Sequence, residues 1–244
     1  MILRKALCAC GLLLMACAPT RDPYGLALRQ NPEQVPSAVP DSLRADLGIT
    51  PRKKGAPSFG ARFYARPHQQ YRMDALGLTS IAASFLWDRG QWALVLHDKR
   101  EVWTGKGDTL DVKDMPVRLP GVHALLGFLW GDPLPDFRDR DSGSGAWSGD
   151  TLHWSAHGTA WKAIFDPNGL CLSVRSSSLE IAYRGHRKFG TRILPQDVEV
   201  FAKGESLLLL RVNGIEDVPS WSRNPFVLKI PEGYEHRSMD DSLN

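Results

Sequence analysis

The chain has few cysteines, no block of charge of one sign, and no long apolar run after its first residues. Its four cysteines are Cys8, Cys10, Cys17 and Cys171. If an N-terminal signal is removed and Cys17 is modified, Cys171 is left alone, and no intramolecular disulfide can form. Lys and Arg number 30 against 27 Asp and Glu, and no basic run is long enough to indicate nucleic-acid binding. The near balance of basic and acidic residues therefore argues against a nucleic-acid-binding protein.

Residues 1–17 have the pattern of a secretory signal. Arg4 and Lys5 precede the apolar run from Ala6 to Leu14, which is too short to cross a bilayer as a stable helix. Leu14-Met-Ala-Cys17 resembles the lipobox of bacterial lipoproteins, which implies cleavage before Cys17 and acylation of that cysteine. Several acyl chains on one residue would hold the protein on a membrane. Ala18 in the next position favours the outer membrane, again by that resemblance. An ordinary cleaved signal with a chance cysteine is the alternative.

Residues 18–57 are predicted to be a Pro-rich tether. Proline is frequent and no apolar period is sustained, a composition that favours extended, poorly packed chain. A short helix over residues 40–47 is compatible with the pattern. The cluster Arg52-Lys53-Lys54 is interpreted as a solvated linker, with contact to anionic lipid as the alternative.

From residue 58 onward, apolar and polar residues alternate in short segments separated by turn residues. Consecutive hairpins make an antiparallel meander the economical topology, and Asn168-Gly169 is the strongest hairpin signal. A meander of this length should curl, and its edges must be covered. We therefore predict a mainly β domain over residues 58–215, an unclosed antiparallel β-barrel of about eleven strands. The predicted strands are 59–66, 71–75, 80–87, 91–97, 101–104, 151–155, 160–166, 170–175, 179–184, 197–202 and 206–213.

One helix is predicted over residues 119–130, where apolar residues have helical spacing and Pro120 fits the first turn. It would cover the opening of the barrel. Residues 136–149 are predicted to be a polar loop. Residues 216–244 are predicted to be a C-terminal tail that packs partly through its apolar residues and frays after Pro231.

Large apolar side chains are abundant, and the chain has eight tryptophans. They either fill an ordinary core or line a cavity for acyl chains between the sheet and the helix. The cavity candidates are Phe63, Tyr71, Met73, Phe85, Trp92, Leu94, Trp103, Leu125, Phe128, Leu129, Trp161 and Phe165.

Support for catalysis is weak, and we expect neither an enzyme nor a cofactor or metal. His153 and His157 are four residues apart, but they lie in a strand and the turn after it, where the two rings need not converge. His97 has no nucleophile signature near it. Cys171 is expected to be a buried apolar residue, because a reactive thiol requires a base and a lowered pKa.

The order of features resembles the outer-membrane lipoprotein receptor LolB and its relatives in the LolA/LolB-like superfamily. Tyr71-Arg-Met-Asp-Ala-Leu-Gly77 and the strand that follows carry the resemblance, together with Met115 to Pro133 and the later strands, over residues 59–214. It implies an unclosed barrel with helices over its opening, a cavity for lipoprotein acyl chains, and delivery by a periplasmic LolA-like carrier. It also implies a membrane-insertion turn at Leu76 and Gly77. The family more often has Asn-Pro where this chain has Asp74-Ala75.

The sequence thus predicts a monomeric lipoprotein on the periplasmic face of the outer membrane, anchored through Cys17, that binds acyl chains and assists lipoprotein or lipid delivery. The alternative is a structural lipoprotein with a filled barrel and a protein partner. An extracytoplasmic hydrolase around His97, His153 and His157 is a third, weaker hypothesis.

Overall fold

The computed structural model describes residues 21, 23–30, 42–66, 69–106, 140–141, 145–156, 158–189 and 192–238. No helix in these ranges is both long enough and apolar enough to cross a membrane. The elements are α1 (Pro23–Gln30), β1 (Leu43–Pro51), β2 (Phe59–Arg66), β3 (Gln70–Leu76), β4 (Ile81–Asp88), β5 (Gln91–Leu96), β6 (Glu101–Lys106), β7 (Ala146–Ser148), β8 (Thr151–Ala156), β9 (Thr159–Phe165), β10 (Cys171–Arg175), β11 (Leu179–Arg184), β12 (Arg187–Phe189), β13 (Arg192–Leu194), β14 (Asp197–Ala202), β15 (Glu205–Asp217) and β16 (Glu235–Ser238).

Fourteen of these strands form one unclosed sheet, which confirms the predicted fold class. Its order is β16-β6-β5-β4-β3-β2-β1-β15-β14-β11-β10-β9-β8-β7, and β12 and β13 form a separate hairpin. Every pair in the large sheet is antiparallel except β16, which lies parallel to β6. All eleven predicted strands are present, and the chain forms five more within the described residues.

β1 corrects the predicted tether over residues 43–51, and it replaces the short helix that the pattern allowed over residues 40–47. It pairs with β2 on one side and with β15 on the other, and so it joins the two halves of the meander. Leu43, Ala45, Leu47 and Ile49 are all buried, with more exposed residues between them. Leu43 and Leu47 also fit helical spacing, but their neighbours alternate with a period of two. The two flanking strands therefore decide the conformation.

β15 runs four residues beyond its predicted end. Asp46 pairs with Gly214 and Leu47 with Val212, so that Asn213 is an extra residue, a β-bulge. The bulge shifts which residues face the core, and this is why the alternation fades after Gly214 although the strand continues.

The C-terminal tail forms a strap over residues 218–238, which corrects the expectation that it frays after Pro231. The rings of Trp221 and Tyr64 meet edge-on at 5.7 Å, and the Arg66 guanidinium lies 5.0 Å from the ring of Phe226. The strap then reaches one edge of the sheet, where β16 pairs with β6. An edge strand that would otherwise offer unpaired N–H and C=O groups is covered there by the chain itself.

The core lies on one face of the sheet, called the inner face below. A single cluster of buried residues extends from β1 through β5 and from β8 through β11 to β15. Leu28 of α1 is fully buried in it, so this helix packs against the C-terminal half of the sheet. Gly25 permits that approach, because a Cβ there would collide with the carbonyl oxygen of Gly169. The predicted covering helix over residues 119–130 lies outside the described residues.

Candidate functional site

Five of the predicted cavity residues form one continuous line across the inner face. Phe63, Met73, Phe85, Leu94 and Trp103 lie directly opposite one another on consecutive strands β2 to β6. Directly opposed side chains on one face of a sheet are in contact distance. Residues far apart in the sequence thus form a single apolar band, called the inner row below.

Larger rings lie beside the inner row, one residue pair further along the strands. Tyr71, Trp87 and Trp92 oppose one another on β3, β4 and β5, and the rings of Tyr71 and Trp87 are 5.2 Å apart. The indole of Trp92 lies over Gly105 of β6, where a Cβ would collide with the ring. The missing side chain at Gly105 therefore makes room for the indole.

Small residues lie on the other side of the inner row. Ala61, Ala75 and Ala83 oppose one another on β2, β3 and β4. Because their side chains are small, the inner face is recessed between the inner row and the turn formed by residues 77–80. The space above them is bounded by aromatic rings on one side and by that turn on the other.

The inner row ends at a polar cluster on the edge of the sheet. Trp103 donates from Nε1 to Glu101 Oε2 at 3.0 Å, and Arg237 of β16 pairs with Glu101 Oε1 at 3.0 Å. The Arg237 guanidinium lies 5.1 Å from the Trp103 ring centroid, a cation–π contact. The strap therefore fixes the last ring of the row.

The remaining described cavity candidates, Trp161 and Phe165, lie in the other half of the sheet on β9. Trp161 stacks on Trp154 with ring centroids 6.1 Å apart, and Phe165 packs against Trp147 at 5.3 Å. Arg29 of α1 lies over Trp147 and pairs with Asp150 at 2.8 Å. This half of the face is thus partly covered by α1.

Burial divides the described candidates into two groups. Phe63, Tyr71, Phe85, Trp92, Trp161 and Phe165 are buried in the main cluster. Met73, Leu94 and Trp103 are only partly buried against it. The accessible part of the inner row is therefore formed by these three side chains. Leu125, Phe128, Leu129 and Cys17 lie outside the described residues.

The turn at residues 77–80 presents apolar side chains to solvent. Leu78 is fully exposed, and Leu76 and Ile81 on either side of the turn are 36% and 37% exposed. The N–H of Gly77 donates to the carbonyl oxygen of Ser80 at 2.8 Å and closes the turn. The sequence drew attention to Leu76 and Gly77, but Leu76 is the last residue of β3 and lies over Gly60. Leu78 is the most exposed leucine among the described residues, but the sequence analysis did not single it out.

The histidines named from the sequence do not form a site in the described residues. The ring of His97 is 3.2 Å from the Tyr234 hydroxyl, measured from Nδ1, and so it belongs to the contacts of the strap. His153 lies on β8, in the other half of the strand order from His97. His157 lies outside the described residues. Cys171 is 3% exposed and directs its thiol to the carbonyl oxygen of Ser173. A buried thiol of this kind is a packing residue, as predicted.

One titratable group that the sequence did not single out is His186, at the start of the β12–β13 hairpin. Burial lowers the pKa of its imidazole below the usual 6.5, and a hydrogen bond to the backbone of Cys171 and the charge of Asp166 oppose this only in part. Burial therefore favours the neutral form of the His186 imidazole.

On the outer face, a buried carboxylate connects the sheet to the strap. Asp74 is 4% exposed and accepts hydrogen bonds from Arg72 Nε at 2.9 Å and from Ser84 Oγ at 2.7 Å. Arg72 also donates to the carbonyl oxygens of Pro225 and Val227. A buried charge is tolerated where it is paired in this way.

Two similar solved structures were compared with the chain, and one of them supports the fold. A DUF1329 family protein from Desulfovibrio piger matches with a TM-score of 0.53 and 13% identity, over 84% of this chain and 98% of that protein. A LolA superfamily protein from Nitrosomonas europaea matches with a TM-score of 0.46 and 11% identity, over 73% of this chain and 88% of that protein. The first match shows a shared fold and nothing about activity, and the second is too weak to carry an argument. No family model and no curated protein matches the chain.

Proposed function

We propose that this protein is a membrane-anchored lipoprotein that binds acyl chains on the inner face of its sheet and assists lipoprotein or lipid delivery to the outer membrane. The observation that carries the proposal is the inner row. Its five apolar side chains are continuous across five strands, and Met73, Leu94 and Trp103 remain partly accessible. We further propose that the protein acts as a LolB-like receptor, which takes its cargo from a LolA-like carrier.

Binding of this kind requires no bond to be made or broken. Removal of one CH2 group from water is favourable by about 0.8 kcal/mol, so that a long acyl chain leaves water readily. The row has the shape that such a chain needs, since an extended apolar chain can contact successive side chains across neighbouring strands. The adjoining alanines, Ala61, Ala75 and Ala83, supply depth without polar groups.

The turn at residues 77–80 is the proposed point of contact with the membrane. Leu78 takes the role that the sequence suggested for Leu76, because it is fully exposed and Leu76 is partly held against β2. The alanines lead from the inner row toward this turn. A chain bound on the inner face is therefore close to the surface that would receive it. Acylation of Cys17 would hold the protein at that surface.

The test is binding of an acyl probe to the full chain after detergent is removed. We expect a fluorescent fatty acid to bind and mass spectrometry of the native protein to detect co-purified lipid. Leu94→Gln should weaken probe binding about tenfold, because it places an amide in the apolar row. Leu86→Gln is the matched control: Leu86 opposes Ala93, on the other face of the same pair of strands. Absence of both the probe and the lipid would refute the proposal.

Delivery needs a test in cells. Depletion of the protein should cause other lipoproteins to accumulate in the inner membrane. A complemented strain carrying Leu78→Gln should show the same defect while the purified variant still binds the probe. Normal sorting after depletion would limit the function to lipid binding.

A structural lipoprotein with a filled interior is the second candidate, and one observation favours it. Six of the nine described cavity candidates are buried in the main cluster, as core residues are. In that case Leu94→Gln would lower stability without any bound lipid to lose. The partly accessible Met73, Leu94 and Trp103 lead us to prefer acyl binding.

A further inference from the structure

We propose that the end of the sheet that carries Leu78 docks on an anionic phospholipid bilayer through basic turns on either side of the 77–80 turn. This inference rests on the proposed contact of that turn with a membrane. It adds the chemical class of the lipid surface, which the apolar residues alone do not specify.

The topology brings three turns together. Strands β1 to β6 are consecutive antiparallel neighbours, so the β1–β2, β3–β4 and β5–β6 connections all lie at the same end of the sheet. Neighbouring turns are two strand spacings apart, roughly 10 Å. The apolar 77–80 turn is therefore in the middle, with residues 52–58 on one side and residues 97–100 on the other.

Both flanking turns are basic and exposed. Lys53 and Lys54 lie in the first, and Lys99 and Arg100 lie in the second. No ion pair joins any of these four to another described residue, whereas Arg52 pairs with Glu199 at 3.4 Å. The one acidic residue in the two turns is Asp98.

A fifth cation extends this row. Lys203 is exposed in the β14–β15 turn, and β15 pairs with β1, so that this turn lies at the same end of the sheet beside residues 52–58. Lys203 and Gly204, with φ of 51° and 84°, are the two residues between β14 and β15, so Lys203 lies at the tip of this tight turn. The cations thus form a line on both sides of one apolar projection.

This arrangement fits the two layers of an anionic membrane surface. Leu78 can enter the apolar boundary while the lysines remain at the level of the lipid phosphates. Each basic residue near such a surface strengthens binding about fivefold. A neutral surface offers no fixed negative charges with which these cations could pair, so the row of basic turns favours an anionic surface.

The experiment is flotation of the full chain, carrying Cys17→Ser so that no acyl anchor is attached, with vesicles of phosphatidylcholine alone or mixed with phosphatidylglycerol. We expect binding to the mixed vesicles that falls steeply as salt rises from about 0.1 M to about 1 M, where the screening length shrinks from about 10 Å to about 3 Å. K53Q/K54Q should weaken it about 25-fold. R89Q/K188Q is the matched control, since it removes the same charge from two exposed residues. Arg89 lies in the β4–β5 turn at the opposite end of the sheet, and Lys188 lies on the separate β12–β13 hairpin, which connects the end of β11 to the start of β14 at that same end. All variants share the same N-terminal segment, so its contribution cancels in their ratio.

Two results would overturn the inference. One is equal binding to neutral and anionic vesicles at all salt concentrations. The other is an equal loss in both double variants, which would assign the effect to net charge rather than to these turns. Binding of the acyl probe by K53Q/K54Q should be unchanged, so that failure here is distinguishable from failure of the proposed acyl binding. Leu78→Gln distinguishes the apolar contribution to membrane binding from the electrostatic one, because it should weaken binding by a similar factor at low and high salt.

Discussion

Arg72 Nη1 donates a hydrogen bond to the carbonyl oxygen of Pro225 at 2.7 Å, while Nε of the same side chain binds Asp74 at 2.9 Å. One guanidinium thus neutralises a buried carboxylate and holds the strap against the outer face of the sheet. The side chains of Arg72 and Asp74 are 17% and 6% exposed. Solvent therefore has little capacity to replace either contact.

Replacement of Arg72 by Met should lower the free energy of unfolding by about 3 kcal/mol, because the Asp74 charge would remain buried without its partner. Urea denaturation measures the loss. R72M/D74N should recover most of it, since the neutral amide that D74N introduces can still accept the hydrogen bond from Ser84. If R72M and the double variant were equally unstable, the loss would come from the strap contact and not from the buried charge.

The sequence predicted the sheet well where the alternation is local and long. β2 to β6 each contain at least six residues, and hairpin turns separate them, so the residues themselves specify both the strand and its partner. Arg89 and Gly90, with φ of 47° and 85°, form the kind of tight turn that joins twisted strands. These features need no information from distant parts of the chain.

What the sequence missed depends on distant partners or on very short segments. β16 forms only because residues 101–104 offer a free edge in a much earlier part of the chain. β7, β12 and β13 have three residues each, too few for a period to be recognised. β1 was hidden among prolines, and it is the strand that joins the two halves of the sheet.

The sequence identified the apolar residues of the inner row by type but not their arrangement. Periodicity shows that Phe63, Met73 and Phe85 share a face, but only the register places them in one line. Register also identifies the accessible part of that line. The exposure of Leu78 follows from the length of the β3–β4 turn. The sequence analysis placed this turn at Leu76 and Gly77, whereas the structure has it at residues 77–80.

The packing of Trp92 against Gly105 on the inner face allows a second prediction. Gly105→Ala should destabilise the protein by about 1–3 kcal/mol, because the new methyl group collides with the indole of Trp92. Gly214→Ala is the control: no atom lies within 4 Å of a Cβ there. Thermal unfolding measures stability, and near-ultraviolet circular dichroism reports displacement of the indole. An equal effect of both substitutions would point to backbone propensity and not to the ring.

The docking of α1 allows a third test. Gly25→Ala places a methyl group against the carbonyl oxygen of Gly169, which is backbone and cannot move without disturbing the β9–β10 turn. We expect the helix to separate locally, with faster hydrogen exchange in residues 23–30 and little change in β2 to β6. Arg29→Gln, which removes the pair with Asp150 but adds no bulk, should show a smaller change. Unaltered exchange in α1 after Gly25→Ala would contradict the close approach.

His186 predicts a pH dependence of stability with a definite sign. Burial lowers the pKa of its imidazole in the folded protein below 6.5, so the unfolded chain binds a proton more readily than the folded one. The free energy of unfolding should therefore decrease as the pH falls below 6.5, until both states are protonated, and should be insensitive to this group above it. Urea denaturation of the wild type and of His186→Gln over this range isolates the contribution, since the other histidines are common to both proteins. The variant should lose part of the slope and keep its stability at neutral pH to within about 1 kcal/mol, because Gln can still donate a hydrogen bond to the backbone of Cys171. Parallel curves for the two proteins would mean that His186 has the same pKa in the folded and unfolded states, and this would contradict a pKa lowered by burial.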